Sequence, residues 1–554
     1  MKCSSILLST LLFLWFDSGI QAQPLGQKKQ FTRQDTLRGS NGPGRNWWDV
    51  LRYDITVKPD YASKTIEGAV TLRFKVTGAG KQMQIDLQEP MKLKSVSCDA
   101  VPAPFKREGN TWWISLPKMP KKNTVKQLVM QFAGHPREAV RPPWDGGWIW
   151  TKDQLGRPWI SVACQGLGAS VWYPCKDYQG DEPDRGASLS ITVPDTLVAV
   201  GNGRLIKKET ENQLTEYKWE VRDPINNYNI IPYIGKYVNW TDTLMGEKGR
   251  LDLSYWVLDY DRDKAEKQFG RDVKPMLRAF EYWFGPYPFY EDGYKLVEAP
   301  HLGMEHQSAV AYGNKFMNGY LGKDLSGTGW GLKWDFIIVH ESGHEWFGNN
   351  ITTKDIADMW VHEGFTNYSE TLFTDYVFGK EAGDAYCQGS RGNIQNDKSI
   401  IGTYGVNQEG SGDMYSKGGN LLHTIRQVIN DDEKFRQILR GLNRNFYHQT
   451  VTSQQVENYI SQKSGIDFSK VFDQYLRTTM IPDFEYKISG RQLSYRWANV
   501  VNGFDLPLKI SLGDGKKMVL KPTRQWQSIS INSALDNPSI SVDKNYYIHT
   551  KKLE

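Results

Sequence analysis

The sequence lacks a long apolar segment after its first residues and has no concentrated basic region. The 68 basic and 63 acidic residues leave a net charge of only +5, and the lysine pairs lie far apart. Binding to nucleic acid or to a membrane surface asks for a concentrated basic face or run. We therefore expect solvated surface charge, no nucleic-acid partner and no membrane anchor.

Cysteine is also scarce, with five residues in 554. Removal of the N-terminal signal described below would leave four of them: Cys98, Cys164, Cys175 and Cys387. A disulfide is permitted in an oxidising compartment, but spacing alone does not establish pairing. Four separate thiols and a single bridge are about equally supported.

The N-terminus has the three parts of a secretory signal. A basic start at Lys2 precedes an apolar stretch from Ile6 to Phe16, and small and polar residues lead to Ala22. This stretch is too short for an ordinary transmembrane helix. Cys3 precedes the apolar stretch, which argues against a lipoprotein anchor. We expect a signal peptide over residues 1–22, cleavage after Ala22 and export to the periplasm or beyond the cell.

Length and composition indicate a globular protein with several domains. A chain of 554 residues is expected to form about three or four cores, and its 51 glycines and 25 prolines follow no repeat. The changing hydrophobic period predicts a multidomain α+β chain. We place a flexible leader at residues 23–46, with order beginning near Trp47, a mostly β domain at 47–255, a mainly helical domain at 256–481 and a small β domain at 482–554.

Several elements are predicted within these domains. Alternation in Tyr53–Val57 and again in Val70–Val76 predicts a β-hairpin. Thr452 with Gln455 resembles a capping box that opens a helix. The other helical segments that we predict are Lys264–Phe284, Phe336–Phe347, Glu363–Phe378, Gly419–Ile429 and Glu433–Phe446.

The strongest chemical signal is His340-Glu341-Ser342-Gly343-His344, which follows an apolar run. Residues i and i+4 of a helix share a face, so both imidazoles can bind one ion. A catalytic zinc ion takes three protein ligands and keeps one open position for water. The motif predicts zinc ligands at His340 and His344, with one ligand still to be found.

Glu363 is the predicted third ligand, since it opens a second helical segment after a polar connection and two His plus one Glu is a known catalytic zinc set. One zinc ion per chain is expected. Glu370, two helical turns further on, has two readings of equal weight: it accepts a hydrogen bond from a ligand histidine, or it is an exposed helix carboxylate. His301, His306 and His362 are expected to be pocket or packing residues, because the ligand set is complete without them.

Glu341 lies beside the first ligand and slightly off the ligand face. From there its carboxylate can accept a proton from a water molecule that the metal has acidified and relay it to the leaving amine. The alternative, a surface glutamate in a salt bridge, is less favoured by its position inside the motif.

From Trp47 to about Arg477 the sequence resembles the M1 family of zinc aminopeptidases in the gluzincin clan. The family's H-E-x-x-H motif and its Asn-Glu-Gly segment match His340 to His344 and His362-Glu363-Gly364, with His362 in place of Asn. Its G-x-M-E-N exopeptidase motif matches Leu302-Gly303-Met304-Glu305-His306, with departures at the first and last positions. The resemblance implies a β saddle domain, a thermolysin-like catalytic domain and a small C-terminal β-sandwich.

The resemblance also implies further site residues. Tyr415 matches the tyrosine that donates to the oxyanion formed when water attacks, although an ordinary tyrosine at a helix start is the alternative. Glu305 and Gln165 match the residues that contact the substrate's amine. Gly303 and Met304 precede Glu305 in the same motif and are expected to bind substrate as well. A structural salt bridge is the alternative role for Glu305.

The expected activity is removal of N-terminal amino acids from peptides. An endopeptidase or a dual-function leukotriene-hydrolase-like enzyme could use the same zinc, but no clear counterpart of that group's carboxylate-binding basic residues is found. A non-catalytic peptide-binding protein is the third alternative, and the presence of His340, Glu341, His344, Glu363 and Tyr415 makes it less favoured.

Overall fold

The computed structural model describes residues 30–513, 515–531 and 539–554. The predicted signal peptide and residues 23–29 of the predicted leader lie outside these residues. Among the described helices, none combines the length and the apolar composition that a membrane span requires. The architecture is the expected multidomain α+β: a β-rich N-terminal part, a mainly helical middle and a C-terminal region of β-sheets.

The N-terminal part begins earlier than predicted. Helix α1 (Arg33–Gly39) starts at a capping box made by Thr32 and Asp35. Arg45 is fully buried and its guanidinium lies 2.5 Å from the Asp86 carboxylate. The expectation that order begins near Trp47 is therefore wrong. It was based on the hydrophobic pattern of the sequence, which cannot reveal that a buried ion pair between Arg45 and Asp86 holds residues 33–45 against the domain.

An eight-stranded sheet and two smaller sheets form the rest of this part. The strands are β1 (Trp48–Asp60), β2 (Thr65–Val76), β3 (Gln82–Asp86), β4 (Lys92–Cys98), β5 (Val101–Pro102), β6 (Phe105–Glu108), β7 (Thr111–Ser115), β8 (Val125–Gly134), β9 (Gly147–Lys152), β10 (Pro158–Ala163), β11 (Ala187–Pro194), β12 (Val198–Val200), β13 (Arg204–Glu211), β14 (Leu214–Val221) and β15 (Tyr233–Gly235). The large sheet has the order β13-β14-β11-β1-β2-β8-β4-β5, and the smaller ones are β12-β15-β10-β9 and β3-β7-β6. Strands β1 and β2 pair antiparallel, with Ile55 opposite Val70, so the predicted hairpin is confirmed.

A five-stranded sheet connects the N-terminal part to the helical part. Its strands are β16 (Tyr237–Gly246), β17 (Gly249–Leu258), β18 (Tyr294–Glu298), β19 (Gly303–Met304) and β20 (Val310–Tyr312), in the order β16-β17-β18-β20-β19. It includes residues on both sides of the predicted boundary at 255. Strand β19 carries the exopeptidase-like motif, and Met304 packs with the hydrophobic core of the N-terminal part.

The helical part supplies the predicted metal ligands. Its elements are α2 (Arg262–Phe284), α3 (Phe336–Gly343), β21 (Ile351–Thr353), α4 (Trp360–Phe378), α5 (Lys380–Gly389), α6 (Ser416–Ile429), α7 (Asp432–Asn445), β22 (Gln449–Val451), α8 (Ser453–Ser464) and α9 (Ser469–Arg477). The capping box at Thr452 and Gln455 is present. Helix α5 was not predicted. Helix α3 ends before His344, which caps it in helical geometry instead of lying inside it.

The C-terminal region contains two sheets. The strands are β23 (Asp483–Ser489), β24 (Gln492–Ala498), β25 (Leu508–Leu512), β26 (Lys517–Leu520), β27 (Gln527–Ser530), β28 (Ile540–Val542) and β29 (His549–Lys552), and the sheet orders are β27-β24-β23-β29 and β26-β25-β28. Their apolar residues join the same buried cluster as the helices of the middle part.

The four cysteines of the described chain, Cys98, Cys164, Cys175 and Cys387, are all buried free thiols. Of the two alternatives left open by spacing, the structure has the four separate thiols.

Candidate active site

The predicted metal ligands converge in a buried cluster. Helix α3 presents His340, its C-cap presents His344, and the first turn of α4 presents Glu363. One ligand atom from each lies within 4.8 Å of the other two. Two consecutive α-helices thus bring together the three side chains that the sequence predicted as metal ligands.

The donor set fits a zinc ion. The Glu363 Oε2 atom is buried without a hydrogen-bond partner, and it lies 3.7 Å from His340 Nε2 and 3.3 Å from His344 Nε2. Ligand atoms bound tetrahedrally to zinc at their usual bond lengths are separated by about 3.3 Å. The two imidazole nitrogens and the carboxylate oxygen, which has no hydrogen-bond partner, therefore have the spacing expected of three ligands to one zinc ion.

The outer nitrogen of each ligand histidine is held by hydrogen bonding. His340 Nδ1 lies 2.7 Å from Glu370 Oε1, and His344 Nδ1 lies 3.0 Å from the Phe347 carbonyl. An acceptor at Nδ1 places the proton there and leaves Nε2 for the metal. Glu370 is buried, so the structure favours the orienting role for it over the exposed carboxylate.

Two residues that the sequence did not indicate hold Glu370 in turn. Tyr386, on the unpredicted helix α5, donates to Glu370 Oε2 at 2.6 Å, and Asn367 lies 3.3 Å from Oε1. Tyr386 reaches Glu370 only through the packing of α4 against α5, whereas Asn367 lies three residues before Glu370 on α4 itself.

Glu341 lines the cavity beside the ligands and is buried. A Cβ atom added to Gly303 would lie 2.6 Å from Glu341 Oε1, so a larger residue on strand β19 would displace the end of this carboxylate side chain. Burial raises the pKa of Glu341 to about 7, and the neighbouring ligand histidines act in the opposite direction. A carboxyl with a raised pKa is a better proton acceptor.

Tyr415 also faces this cavity, immediately before α6. Its ring stacks beside the His340 ring, with centroids 6.0 Å apart. Burial, with the surrounding Glu363 and Glu409 carboxylates, raises the pKa of the Tyr415 phenol well above its ordinary value. The phenol therefore keeps its proton and can donate it in a hydrogen bond.

Glu305 lies next to the ligand set, with donors from two other segments. One of its oxygens is within 4.8 Å of the Glu341 carboxylate and of a His344 nitrogen. Gln165 donates to Glu305 Oε1 at 2.5 Å, and Tyr228 donates to the same atom at 2.9 Å. Tyr228 was not indicated by the sequence, because it comes from a turn in the N-terminal part far from both motifs.

No lysine or arginine of the described chain forms an ion pair with Glu305, so the structural salt bridge is not observed. Burial raises the pKa of the Glu305 carboxyl. A cation placed beside such a carboxyl would stabilise its charged form.

The three remaining histidines of the region are buried outside the ligand set. His301 Nε2 lies 3.2 Å from the Ser161 hydroxyl, and His306 Nδ1 lies 2.6 Å from the Tyr233 hydroxyl. His362 Nε2 accepts a hydrogen bond from the Thr353 amide at 2.8 Å. Burial lowers the pKa of all three imidazoles. All three lie outside the ligand set, which is in keeping with a pocket or packing role.

Family models match most of the folded chain. Residues 50–228 match the peptidase M1 N-terminal domain, and residues 271–475 match the peptidase family M1 domain. The chain belongs to peptidase family M1. Zinc is the metal of this family, and His340, His344 and Glu363 form a site that could hold it.

Curated relatives of this M1 peptidase are remote in sequence. Aminopeptidase B from Homo sapiens is 21% identical over 86% of this chain and 69% of the relative. Aminopeptidase B from Mus musculus is 22% identical over 72% of this chain, and a probable aminopeptidase 1 from Sulfurisphaera tokodaii is 19% identical over 90%. The chain spans 59% and 62% of those two relatives.

Solved structures show the same fold. A variant of an M1 zinc metallopeptidase from Deinococcus radiodurans, bound to a Tyr-Ser-Ala substrate, superposes with a TM-score of 0.68 at 19% identity. The match covers 80% of this chain and 98% of that structure. The likeness establishes a shared fold for the greater part of the molecule.

Proposed function

We propose that this M1 family member is a zinc-dependent aminopeptidase that hydrolyses the N-terminal bond of peptides. The observation that carries the proposal is Glu305, a buried carboxylate beside the metal ligands. Among the residues that the structure describes, its side-chain donors at hydrogen-bond distance are the neutral groups of Gln165 and Tyr228. A buried charge needs a partner. The α-ammonium of a peptide is a cation of the right size to be that partner.

The distance between Glu305 and the metal ligands makes the site an exopeptidase site. Because Glu305 lies within 4.8 Å of His344, an ammonium held by Glu305 has room for one residue between itself and the metal centre. The carbonyl of the first residue then lies at the ligand set. Because Glu305 binds the substrate's ammonium at a set distance from the metal ligands, the first peptide bond is the one that is cleaved.

Three components carry out the hydrolysis. Zinc, when bound, supplies Lewis-acid chemistry that lowers the pKa of water and polarises a carbonyl. Glu341 accepts the proton of the attacking water and delivers it to the leaving amine. The Tyr415 phenol donates a hydrogen bond to the developing oxyanion.

The alternatives explain less of the site. An endopeptidase would leave the buried Glu305 cluster without a ligand. A non-catalytic binding protein would have no use for Glu341 and Tyr415 facing the same cavity as the three ligands.

The proposal is tested with a peptide and its N-acetylated twin. The free peptide should lose its first residue, and the acetylated peptide should resist cleavage because it carries no ammonium. Equal rates on both substrates would overturn the aminopeptidase assignment and favour the endopeptidase.

The same proposal includes export from the cytoplasm, supported by the signal-like residues 1–22. N-terminal sequencing of the protein recovered from the periplasm or medium should begin at Gln23. An intact Met1 on the cytoplasmic protein would contradict export.

A further inference from the structure

Helix α1 lies ahead of the part of the chain that matches the family. The family model for the N-terminal domain begins at residue 50, whereas α1 spans Arg33–Gly39. The helix is nevertheless held against that domain, since Gln84 Nε2 donates to the Leu37 carbonyl at 2.9 Å. The contacts at its C-terminal end indicate a role in the active site.

The loop that supplies Gln165 to the candidate amine site is short and contains two glycines. We call residues 165–168 the amine loop. Gln165 donates to Glu305 Oε1 at 2.5 Å, while Gly166 and Gly168 have φ angles of 70° and 101°. Because glycine populates many backbone conformations, a loop of this composition has little preference of its own for one of them. The position of the amine loop therefore depends on its contacts with neighbouring segments.

Arg38, in the last turn of α1, fixes the chain just beyond the amine loop through Asp177. Its guanidinium donates to the Asp177 carbonyl at 2.5 Å and lies 3.4 Å from the Asp177 carboxylate. That carboxylate accepts hydrogen bonds from the Ser170 amide at 3.2 Å and from the Ser170 hydroxyl at 2.5 Å. Asp177 is buried, and a buried charge depends on the cation and the donors around it.

The backbone of the amine loop lies directly against this ion pair. A Cβ atom added to Gly168 would lie 2.1 Å from Asp177 Oδ2 and 2.3 Å from Arg38 Nη2. A contact this close leaves the loop no room to shift toward α1 while the Arg38 side chain is in place. Truncation of Arg38 would remove that restraint.

The end of α1 also contacts the helical part of the molecule. A Cβ atom added to Gly39 would lie 2.1 Å from the Asn407 amide nitrogen, and the Asn407 side chain donates to the Gly166 carbonyl at 2.9 Å. The amine loop is therefore held from two sides, by Arg38 through Asp177 and by Asn407. Helix α1 contacts both supports.

We propose that Arg38 is a positioning residue for recognition of the substrate's amine: α1 holds the amine loop where Gln165 reaches Glu305. This inference rests on the aminopeptidase function proposed above, in which Glu305 binds the α-ammonium. Gln165 keeps the Glu305 carboxylate in one orientation, and a binding group that is already oriented binds its ligand more tightly. Loss of Arg38 should weaken binding of the amine and leave the metal ligands as they are.

The test compares inhibition by leucine hydroxamate with inhibition by isocaproyl hydroxamate, which is the same molecule without the amine. The factor by which the amine strengthens inhibition, which we call the amine advantage, reports amine recognition because the two inhibitors share their other groups. A smaller fraction of folded enzyme would change neither inhibition constant. We expect Arg38→Ala to reduce the amine advantage about 3- to 10-fold, within the range for a residue that acts through others, with zinc content unchanged.

Arg33→Ala is the matched control, because it removes an arginine from the same helix. Arg33 pairs with Glu108 at 2.7 Å at an exposed position, and its loss should leave the amine advantage within about twofold of the parent. Arg38→Lys keeps a cation beside Asp177 and should fall between the parent and Arg38→Ala. If Arg38→Ala does not fold, Ser170→Ala, which removes the hydroxyl donor on the other side of Asp177, should reduce the amine advantage in the same way.

A double-mutant cycle with Gln165→Ala tests the route by which Arg38 acts. In the Gln165→Ala background the loop no longer supplies a donor to Glu305, so Arg38→Ala should reduce the amine advantage by less than about twofold. An equal loss in both backgrounds would show that Arg38 does not act through Gln165 and would overturn the inference.

The outcomes separate this inference from the proposed function. A parent enzyme that binds both hydroxamates equally would overturn the amine-binding role of Glu305, and the inference with it. A parent enzyme with a clear amine advantage that Arg38→Ala retains in full, or that Arg33→Ala loses to the same extent, would overturn the inference alone.

Discussion

Replacement of Glu305 by glutamine tests the feature on which the aminopeptidase function rests. The side chain keeps its size, so Gln165 and Tyr228 still find an acceptor at the positions where they now lie 2.5 and 2.9 Å from Glu305 Oε1. Only the charge offered to the substrate's ammonium is lost. The change therefore isolates the charge-assisted part of amine recognition.

The size of the effect follows from that single interaction. A hydrogen bond to a charged group contributes about 1.5–3 kcal/mol, and about 1.4 kcal/mol corresponds to a factor of ten. We expect Glu305→Gln to lower kcat/KM for a free-amine peptide about 10- to 150-fold. Zinc content should be unchanged, because Glu305 is not one of the three ligands.

The assay compares inhibition by an amino-acid hydroxamate with inhibition by its analogue that lacks the amine. In the parent enzyme the amine should strengthen inhibition, and in Glu305→Gln most of that gain should disappear. A loss of general stability would weaken both inhibitors together. Glu298→Gln is the matched control, since Glu298 is also a buried carboxylate, on strand β18, but does not line the cavity.

The reasoning would be refuted by a Glu305→Gln enzyme that keeps the full advantage of the amine-bearing inhibitor. It would then follow that the ammonium binds elsewhere.

Four further predictions follow from the site and from the N-terminal segment. Glu341→Gln should retain zinc and lose about 10²- to 10⁴-fold in kcat, and a zinc-loaded variant with near-normal turnover would remove the proton-transfer role. Tyr415→Phe should lower kcat about 10²- to 10³-fold, corresponding to about 3–4 kcal/mol for one oxyanion donor, with little change in KM; a change confined to KM would make the phenol a binding contact only. Glu370→Ala should weaken zinc binding about 10- to 100-fold in a chelator competition, because His340 loses its acceptor, and unchanged affinity would contradict the orienting role. Arg45→Ala should lower the free energy of unfolding by about 3–5 kcal/mol in denaturant titration, because it leaves the Asp86 carboxylate buried without its cation, and an effect below about 1 kcal/mol would show that the leader is dispensable for stability.

The prediction succeeded where chemistry depends on local spacing. His340 and His344 are four residues apart, and one helical turn brings them to the same ion whatever surrounds them. Thr452 and Gln455 likewise form their capping box through three residues of local backbone. The hairpin of β1 and β2 could be predicted because alternation of apolar and polar residues indicates a half-buried strand.

Prediction failed where burial comes from distant segments. Arg33–Gly39 and Arg45 have a polar, glycine-rich context that is typical of a flexible leader, yet they are tied down by hydrogen bonds and an ion pair. Helix α5 was not predicted: it has only ten residues, two of them glycine, and its role in holding Glu370 through Tyr386 depends on its contact with α4.

By itself, the sequence indicated the candidate metal ligands, the carboxylate beside them and the succession of β, helical and β parts, since the spacing of the two histidines and the hydrophobic periods depend on residues close together in the chain. Only the tertiary structure decided what surrounds that centre. Gln165, Tyr228 and Glu305 meet from three separate segments. Sequence periodicity does not predict such contacts, because they form only when separately folded sheets and helices pack around the same cavity.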